Sequence, residues 1–387
     1  MTALRPDAAE QRTANDRSLP AVDLDRSPFT VAWEITRACA LACLHCRAEA
    51  QPKRDPRELT ADEACRVVEQ LRAAGDPILV VTGGDPLMRR DVFDLMSYAV
   101  DLGLRTSLTP SATALVTPHN LARARQAGVR RVAISLDGPD AALHDRFRGF
   151  PGSFQRTMRI IRDVGEAGLA LQINTTVSRH NLPALGPMPA LVAESGAVQW
   201  SVFFLVPTGR GRLEDMISPE EHERVYSWLY DVSRTTPFDV KATAAPAYRR
   251  LAIQRARQAG ETGPIAGAGY RYQDGLDRPS VSINDGKGFA FISHTGDVCP
   301  SGFLPLPAGN VRERPFADIY RDSPLFRRLR DPSLLKGKCG ACDFRSVCGG
   351  SRARAYAVTS DYLASDPSCV YESAAVGGRP TGSSPPA

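Results

Sequence analysis

The sequence predicts an α/β fold in which six parallel strands alternate with helices, followed by a smaller second domain. Strand-like apolar runs alternate with helix-like runs from about residue 28 to residue 235. This alternation is typical of βα units that build a parallel sheet, either open or curled into a partial TIM-like barrel. From Val281 onward, turns and short strands dominate, and five of the nine cysteines occur there.

The six strands are predicted, in order, from the runs VAWEIT, ILVVTG, RTSLTPS, RVAISLD, LQINTTV and VQWSVFFLVP. The helices between and after them are predicted from TADEACRVVEQLRAAG, RDVFDLMSYAVDLG, TPHNLARARQAG, GSFQRTMRIIRDVGEAG, LPALGPMPALVAES and SPEEHERVYSWLYDVSR. Thr60 with Glu63 three positions later is typical of a capping box at a helix start. In such folds the chemistry is carried by loops at the carboxyl ends of the strands.

Five segments follow from this pattern: a disordered tail at 1–27, a core barrel at 28–235, a linking region at 236–280, a cysteine-rich domain at 281–373 and a second disordered tail at 374–387. Both tails are polar and rich in small residues, which is typical of disorder. We therefore expect the chemistry to lie within residues 28–373.

Composition excludes several classes of protein. The net charge of +5 and the pI near 8.7 are too mild to indicate nucleic-acid binding. No apolar run is long enough to cross a membrane, and the first residues lack the apolar core of a secretory signal. Nine cysteines without such a signal predict a cytoplasmic protein whose clustered cysteines bind metal.

Three of these cysteines lie directly after the first predicted strand. Cys39, Cys43 and Cys46 have the spacing C-x3-C-x2-C. A structural zinc site uses four ligands, usually in two pairs, so three close cysteines favour a cluster with one open corner. A zinc half-site is the alternative.

This loop, VTGGDPL after the second strand and ISLDGPD after the fourth together resemble a radical S-adenosylmethionine (SAM) enzyme. The resemblance implies that the three cysteines hold a 4Fe–4S cluster with one iron free to bind SAM. Reductive cleavage of SAM would then give a 5′-deoxyadenosyl radical that takes hydrogen from the substrate. It implies packing or a backbone contact to adenine for His45. It also implies cofactor contacts for eight residues: Gly83, Gly84, Asp85 (usually Glu in the family), Ser135, Asp137, Arg148, Asn174 and Leu205.

The second domain contains GKCGACDFRSVCGG and a later isolated cysteine, and it resembles the SPASM extension of radical SAM enzymes. The resemblance implies that one auxiliary 4Fe–4S cluster is held by Cys339, Cys342, Cys348 and Cys369. Two further ligand positions of the full motif hold Arg314 and Arg352 instead, so we expect a single auxiliary cluster. A zinc knuckle is the alternative for these four cysteines.

Two cysteines are not expected to bind metal. Cys65 lies inside the first predicted helix and is expected in the core. Cys299 matches the opening cysteine of the missing site, and it is either a spare thiol near the active site or a small buried hydrophobic residue.

Over residues 28–372 the chain resembles the enzymes of alternative haem b and haem d1 synthesis, which implies a tetrapyrrole carboxylate side chain as the oxidised group. Peptide maturases share the two-domain plan and give an alternative substrate, and a non-catalytic iron–sulfur electron carrier is a second alternative. Basic residues around the last cysteines suit a raised cluster potential, an acidic flavodoxin or ferredoxin as electron donor, substrate carboxylates, or simply a solvated face: Arg327, Arg328, Arg330, Lys336, Lys338, Arg345, Arg352 and Arg354.

Overall fold

A computed structural model describes residues 23–260 and 283–373 of the chain. The predicted tail at 374–387, most of the tail at 1–27 and the end of the predicted linking region lie outside the described residues.

The core is a parallel sheet whose strands follow one another in space in the same order as in the sequence. Its strands are β1 (Thr30–Glu34), β2 (Ile78–Thr82), β3 (Thr106–Leu108), β4 (Arg131–Ser135), β5 (Ala170–Val177), β6 (Gln199–Phe204) and β7 (Asp239–Thr243). The predicted strands β1 to β6 are thus confirmed. All neighbours in this series pair in parallel, so their carboxyl ends share one edge of the sheet.

Helices connect the strands and bury their apolar faces against the sheet. They are α1 (Ala61–Ala74), α2 (Val92–Asp101), α3 (Pro118–Gln126), α4 (Ala141–Arg148), α5 (Ser153–Glu166), α6 (Met188–Glu194), α7 (Pro219–Thr235) and α8 (Ala247–Gln258). The predicted capping box at Thr60 and Glu63 is present at the start of α1. It satisfies backbone N–H groups that the first helical turn leaves without partners.

The parallel series is longer than the six strands predicted. The predicted linking region contains β7 and α8, and β7 pairs with β6 along its whole length. The sequence signal was weak because only Val240 and Ala242 of β7 are apolar. Helix α4 was also missed, since it is short and half of its eight residues are polar.

The C-terminal region continues the same sheet. It contains β8 (Asn284–Asp285), β9 (Gly288–Ile292), β10 (Asp297–Cys299) and β11 (Gly309–Asn310), then α9 (Phe316–Asp322), α10 (Pro324–Arg330), α11 (Gly337–Gly340) and α12 (Arg352–Thr359). Strand β9 pairs in parallel with the edge of β1 that β2 leaves open, while β10 and β11 continue the sheet in antiparallel fashion. The cysteine-rich region and the core therefore share hydrogen-bonded backbone. No helix within residues 23–260 and 283–373 is long and apolar enough to span a bilayer.

Candidate active site

The first three cysteines lie on a loop that is closed at its base. The Cys39 N–H donates to the Gln51 carbonyl at 2.9 Å, and the Gln51 N–H donates to the Arg37 carbonyl at 3.0 Å. These two hydrogen bonds join the two ends of residues 37–51, which form a closed loop after the carboxyl end of β1. Cys39 and Cys43 are buried with Leu41, and Cys46 packs against them half-buried.

The loop of Gly83, Gly84 and Asp85 after β2, here called the GGD loop, holds the cysteine loop in place. The Gly84 N–H donates to the Thr36 carbonyl at 2.8 Å, and the Asp85 N–H donates to the Ala38 carbonyl at 2.7 Å. A Cβ at Gly83 or Gly84 would lie 2.5 Å from a backbone oxygen of residues 36–38. The two glycines thus let the backbones of the two loops meet, whereas the sequence suggested close approach to SAM; their contact with SAM stays a prediction.

Asp85 is fully buried and already bonded within the protein. One carboxylate oxygen accepts from the Thr113 hydroxyl at 2.7 Å and the other from the Leu87 N–H at 3.2 Å. Burial raises the pKa of the Asp85 carboxyl to about 6. These bonds fix the loop, and the predicted contact of Asp85 with the SAM amine remains untested.

Asp137 and Arg148 form a buried ion pair, at 2.5 Å, beside the cysteine loop. The other Asp137 oxygen accepts from the Thr176 N–H at 2.7 Å. Arg148 also points a terminal nitrogen at the Cys43 sulfur, 3.7 Å away. Burial raises the pKa of Asp137, and Arg148 opposes that shift. The pair thus ties the end of β4, the end of α4 and a predicted cluster ligand together.

Ser135 ends β4 and lies in register opposite Asn174, which is in the middle of β5. Both are half-buried, while the alternate residue Ile173 is buried in the hydrophobic core, so Ser135 and Asn174 face the opposite side of the sheet from Ile173. The side-chain oxygen of Asn174 accepts a hydrogen bond from the side-chain amide of Gln172 at 2.8 Å. This face of the sheet therefore presents hydroxyl and amide groups, and their contact with the ribose or methionyl groups of SAM stays a prediction.

The backbone of Leu205 is engaged on both sides. Its N–H donates to the Val177 carbonyl at 3.1 Å, and its carbonyl accepts from Arg354 at 3.4 Å. A contact between the Leu205 backbone and adenine would have to share the N–H or the carbonyl with these partners.

His45 packs on Phe147 with ring centroids 4.3 Å apart. Burial lowers the pKa of His45 well below the usual value, so a neutral packing role fits.

Sequence reasoning missed Glu34, which ends β1 in complete burial. Arg47 donates to one of its oxygens at 2.8 Å, and His294 of the C-terminal region lies 3.0 Å from the other. Burial opposes ionisation, but Arg47 and the hydrogen bond to His294 hold the Glu34 pKa at about 2. The available signal was an acidic residue inside the apolar run VAWEIT, because a buried carboxylate requires a cationic partner.

The four C-terminal cysteines predicted as ligands line one pocket, together with Arg250, Phe344 and Tyr371. No three His, Cys, Asp or Glu side chains in the described parts of the chain form a group suited to a single metal ion. Four cysteines that line one pocket are a suitable ligand set for the auxiliary cluster that the sequence predicts.

Hydrogen bonds to sulfur separate the seven predicted ligands from the other two cysteines. Each of the seven accepts an N–H: Cys39 from Leu41, Cys43 from Arg148, Cys46 from Ala50, Cys339 from Asp366 and Arg352, Cys342 from Phe344, Cys348 from Gly350 and Cys369 from Tyr371. In the described residues, no N–H donates to the sulfur of Cys65 or Cys299. Donors of this kind stabilise the thiolates that bind iron, so both cysteine groups fit iron–sulfur clusters.

Comparison with known proteins decides the family. Residues 33–181 match the profile of the "Radical SAM superfamily". A protein named "AdoMet-dependent heme synthase" from Nitratidesulfovibrio vulgaris is 45% identical, over 95% of this chain and 97% of its own length. The chain belongs to the radical SAM superfamily. As a radical SAM enzyme, it uses a 4Fe–4S cluster and SAM.

Further comparisons extend the radical SAM assignment to the C-terminal region and to the fold. Residues 284–343 match the SPASM profile, "Iron-sulfur cluster-binding domain", which implies auxiliary iron–sulfur binding in addition to the radical SAM cluster. A "Mycofactocin maturase MftC" from Mycobacterium ulcerans is 30% identical over 89% of this chain and 88% of its own length. The structure of Streptococcus suis SuiB bound to S-adenosylmethionine shares the fold, with a TM-score of 0.67, 17% identity and coverage of 89% of this chain and 78% of that chain.

The two cysteine groups of this radical SAM enzyme are separable by iron analysis. Two 4Fe–4S clusters correspond to about eight iron atoms per chain. We expect the double variant Cys342→Ala/Cys369→Ala to hold about four and to keep cleaving SAM, because both side chains are only half-buried and lie in the C-terminal pocket.

The matched control is Cys65→Ala, which removes a half-buried thiol that makes no hydrogen bond to a backbone N–H. It should retain about eight iron atoms. An unchanged iron content in the double variant, or stoichiometric zinc in the native protein, would contradict the ligand assignment.

Proposed function

We propose that this radical SAM enzyme oxidatively decarboxylates a propionate side chain of an iron tetrapyrrole to a vinyl group. The observation that carries the proposal is the 45% identity, along nearly the full length of both chains, to a protein named as a heme synthase. The mycofactocin maturase is 30% identical over a similar share of this chain.

The conversion of a propionate to a vinyl group and carbon dioxide removes one hydrogen atom and one electron from the side chain. When bound, the 4Fe–4S cluster and SAM supply a 5′-deoxyadenosyl radical that takes a hydrogen atom from the propionate carbon next to the ring. The carbon–carbon bond to the carboxylate then breaks, carbon dioxide leaves, a vinyl double bond forms, and one electron must be accepted. We propose that a single auxiliary cluster on Cys339, Cys342, Cys348 and Cys369 accepts it.

The charge of the site supports a carboxylate substrate. The backbone of Arg210 contacts the cysteine loop, because its backbone N–H donates to the Cys46 carbonyl at 3.0 Å. Its Nε and Nη2 atoms are buried without a partner in the described residues. A buried guanidinium with free donors is costly unless an anion binds it, and a planar carboxylate matches its geometry.

The proposed role of the remaining residues is to position and shield this chemistry. The closed loop of residues 37–51 and the GGD loop fix Cys39, Cys43 and Cys46. The Asp137–Arg148 pair fixes the loop from the β4 side, while the polar row of Ser135 and Asn174 offers hydrogen bonds to SAM. Burial of Cys39 and Cys43 keeps water from the metal face.

The test offers iron coproporphyrin III and SAM to the anaerobic, reduced holoenzyme. We expect 5′-deoxyadenosine together with loss of carbon dioxide from the porphyrin, read by mass spectrometry. The matched control is the tetramethyl ester of the same porphyrin, which has no free carboxylate and should remain unchanged. Cleavage of SAM without any change in the porphyrin would refute the substrate and leave the radical SAM assignment intact.

The alternative function is peptide maturation, which the 30% identity to the mycofactocin maturase favours. The same assay separates the two, since a maturase modifies its precursor peptide and leaves the porphyrin unchanged. A non-catalytic electron carrier would release no 5′-deoxyadenosine with either substrate.

We also propose a cytoplasmic setting with flavodoxin or ferredoxin as the electron donor. None of the nine cysteines, all of which lie in the described residues, forms a disulfide, as is typical of a reducing compartment. The exposed basic residues Lys336, Lys338 and Arg345 near the C-terminal cysteines support docking of an acidic donor.

A further inference from the structure

We propose that Arg352 sets the reduction potential of the auxiliary cluster by donating a charge-assisted hydrogen bond to the ligand sulfur of Cys339. The inference rests on the auxiliary cluster of the proposed function and names a residue that tunes it. The Nη2 atom of Arg352 lies 3.5 Å from the Cys339 sulfur. Arg352 is 1% exposed and Cys339 is 9% exposed, so bulk water does not screen the contact.

The rest of the guanidinium is held by carbonyl groups alone. Nη1 donates to the Tyr362 carbonyl at 2.9 Å and to the Ala364 carbonyl at 2.7 Å, while Nε donates to the Gly350 carbonyl at 3.2 Å. Among the described residues, no carboxylate forms an ion pair with Arg352. The Cys339 sulfur is therefore the acceptor of its Nη2 atom, while the carboxylates of Asp285 and Asp361 act on the guanidinium at longer range.

Arg354, two residues along the same helix, provides the contrast. It lies 3.6 Å from the Asp366 carboxylate and donates to carbonyl groups of the core, and it contacts no sulfur. Both arginines are buried, but only Arg352 contacts a predicted ligand.

Gly350 makes the contact sterically possible. Its φ is +65°, and a Cβ there would lie 2.5 Å from the Arg352 Nη2 and 2.9 Å from the Cys339 sulfur. A side chain would therefore occupy the space between donor and acceptor. The left-handed conformation also favours glycine at this position.

A cationic donor on a ligand sulfur stabilises the reduced cluster, which carries one more negative charge, and so raises its reduction potential. Cys339 also accepts from the Asp366 N–H at 3.4 Å, which gives this sulfur two N–H donors. A higher potential makes the cluster a better acceptor for the electron that decarboxylation releases. Arg352 thus occupies a position where the full SPASM motif has a cysteine and serves the remaining cluster.

The test is a redox titration, followed by electron paramagnetic resonance, of full-length protein in which Cys39, Cys43 and Cys46 are alanine and only the auxiliary cluster remains. Arg352→Gln should lower the midpoint potential of the cluster by at least ~59 mV, which for one electron is a tenfold change in the equilibrium constant for reduction. Arg327→Gln is the matched control, because it removes an exposed arginine that pairs with Asp322 and does not line the pocket of the four cysteines. It should leave the midpoint unchanged.

An unshifted midpoint in Arg352→Gln, with about four iron atoms still bound, would overturn the proposal. Should that variant lose its cluster, the same protein with native Arg352 and 15N-labelled arginine decides: a resolved 15N coupling to the reduced cluster supports the contact, and its absence refutes it. Failure of the parent protein to bind iron would instead refute the auxiliary cluster itself.

Discussion

The Cys43→Ala variant is expected to release no 5′-deoxyadenosine from SAM, even with excess reductant. Cys43 is buried at the centre of the cysteine loop and accepts from Arg148 at 3.7 Å. Loss of one of three thiolates removes the cluster that binds and reduces SAM. The measurement is anaerobic turnover with chromatographic detection of 5′-deoxyadenosine.

Two controls make this result specific. Cys65→Ala changes a cysteine of α1 outside both groups and should cleave SAM at the native rate. Iron analysis of Cys43→Ala should still find about four iron atoms, which belong to the auxiliary cluster. Native levels of cleavage by Cys43→Ala would remove the basis for assigning this loop as the cluster site.

The second large effect is expected on stability, from Arg354→Met. Arg354 is fully buried on α12 and donates to the carbonyls of Phe204, Leu205 and Ala244 at the ends of β6 and β7. The methionine leaves these acceptors and the Asp366 carboxylate without their cationic partner. Breaking a buried pair in this way costs about 3–5 kcal/mol.

The measurement is the free energy of unfolding from anaerobic urea titrations, followed by tryptophan fluorescence. The control is Arg345→Met, since Arg345 is exposed and, among the described residues, its side chain donates only to the Gly340 carbonyl. A surface change of this kind should stay within about 0.5 kcal/mol. Equal stability of the two variants would show that Arg354 does not hold the C-terminal region on the core.

The sequence predicted the strands where apolar runs were long and missed them where polar residues alternate. β5 and β6 stand out because their core-facing residues are bulky and apolar, such as Ile173 and Trp200. In β7 the short run DVKAT carries only two apolar residues. The pairing of β9 with β1 was also beyond reach, because no local pattern records which distant strand completes an edge.

For the candidate site, spacing was sufficient for the cysteines and insufficient for their surroundings. C-x3-C-x2-C fixes three thiols on one loop by chain connectivity alone. Asp137 and Asp85, by contrast, find partners in other elements, such as Arg148 at the end of α4 and Thr113 after β3, and each bond depends on the packed fold. The same holds for Glu34, whose partner His294 lies 260 positions away.

That pairing of β1 with β9 has a consequence during synthesis. At about 5–20 residues per second, the ribosome needs on the order of 10–50 s to add the residues that separate the two strands. For that time one long edge of β1 exposes unpaired N–H and C=O groups, which are a template for aggregation. Until β9 has been synthesised, pairing of this edge with another chain competes with correct folding.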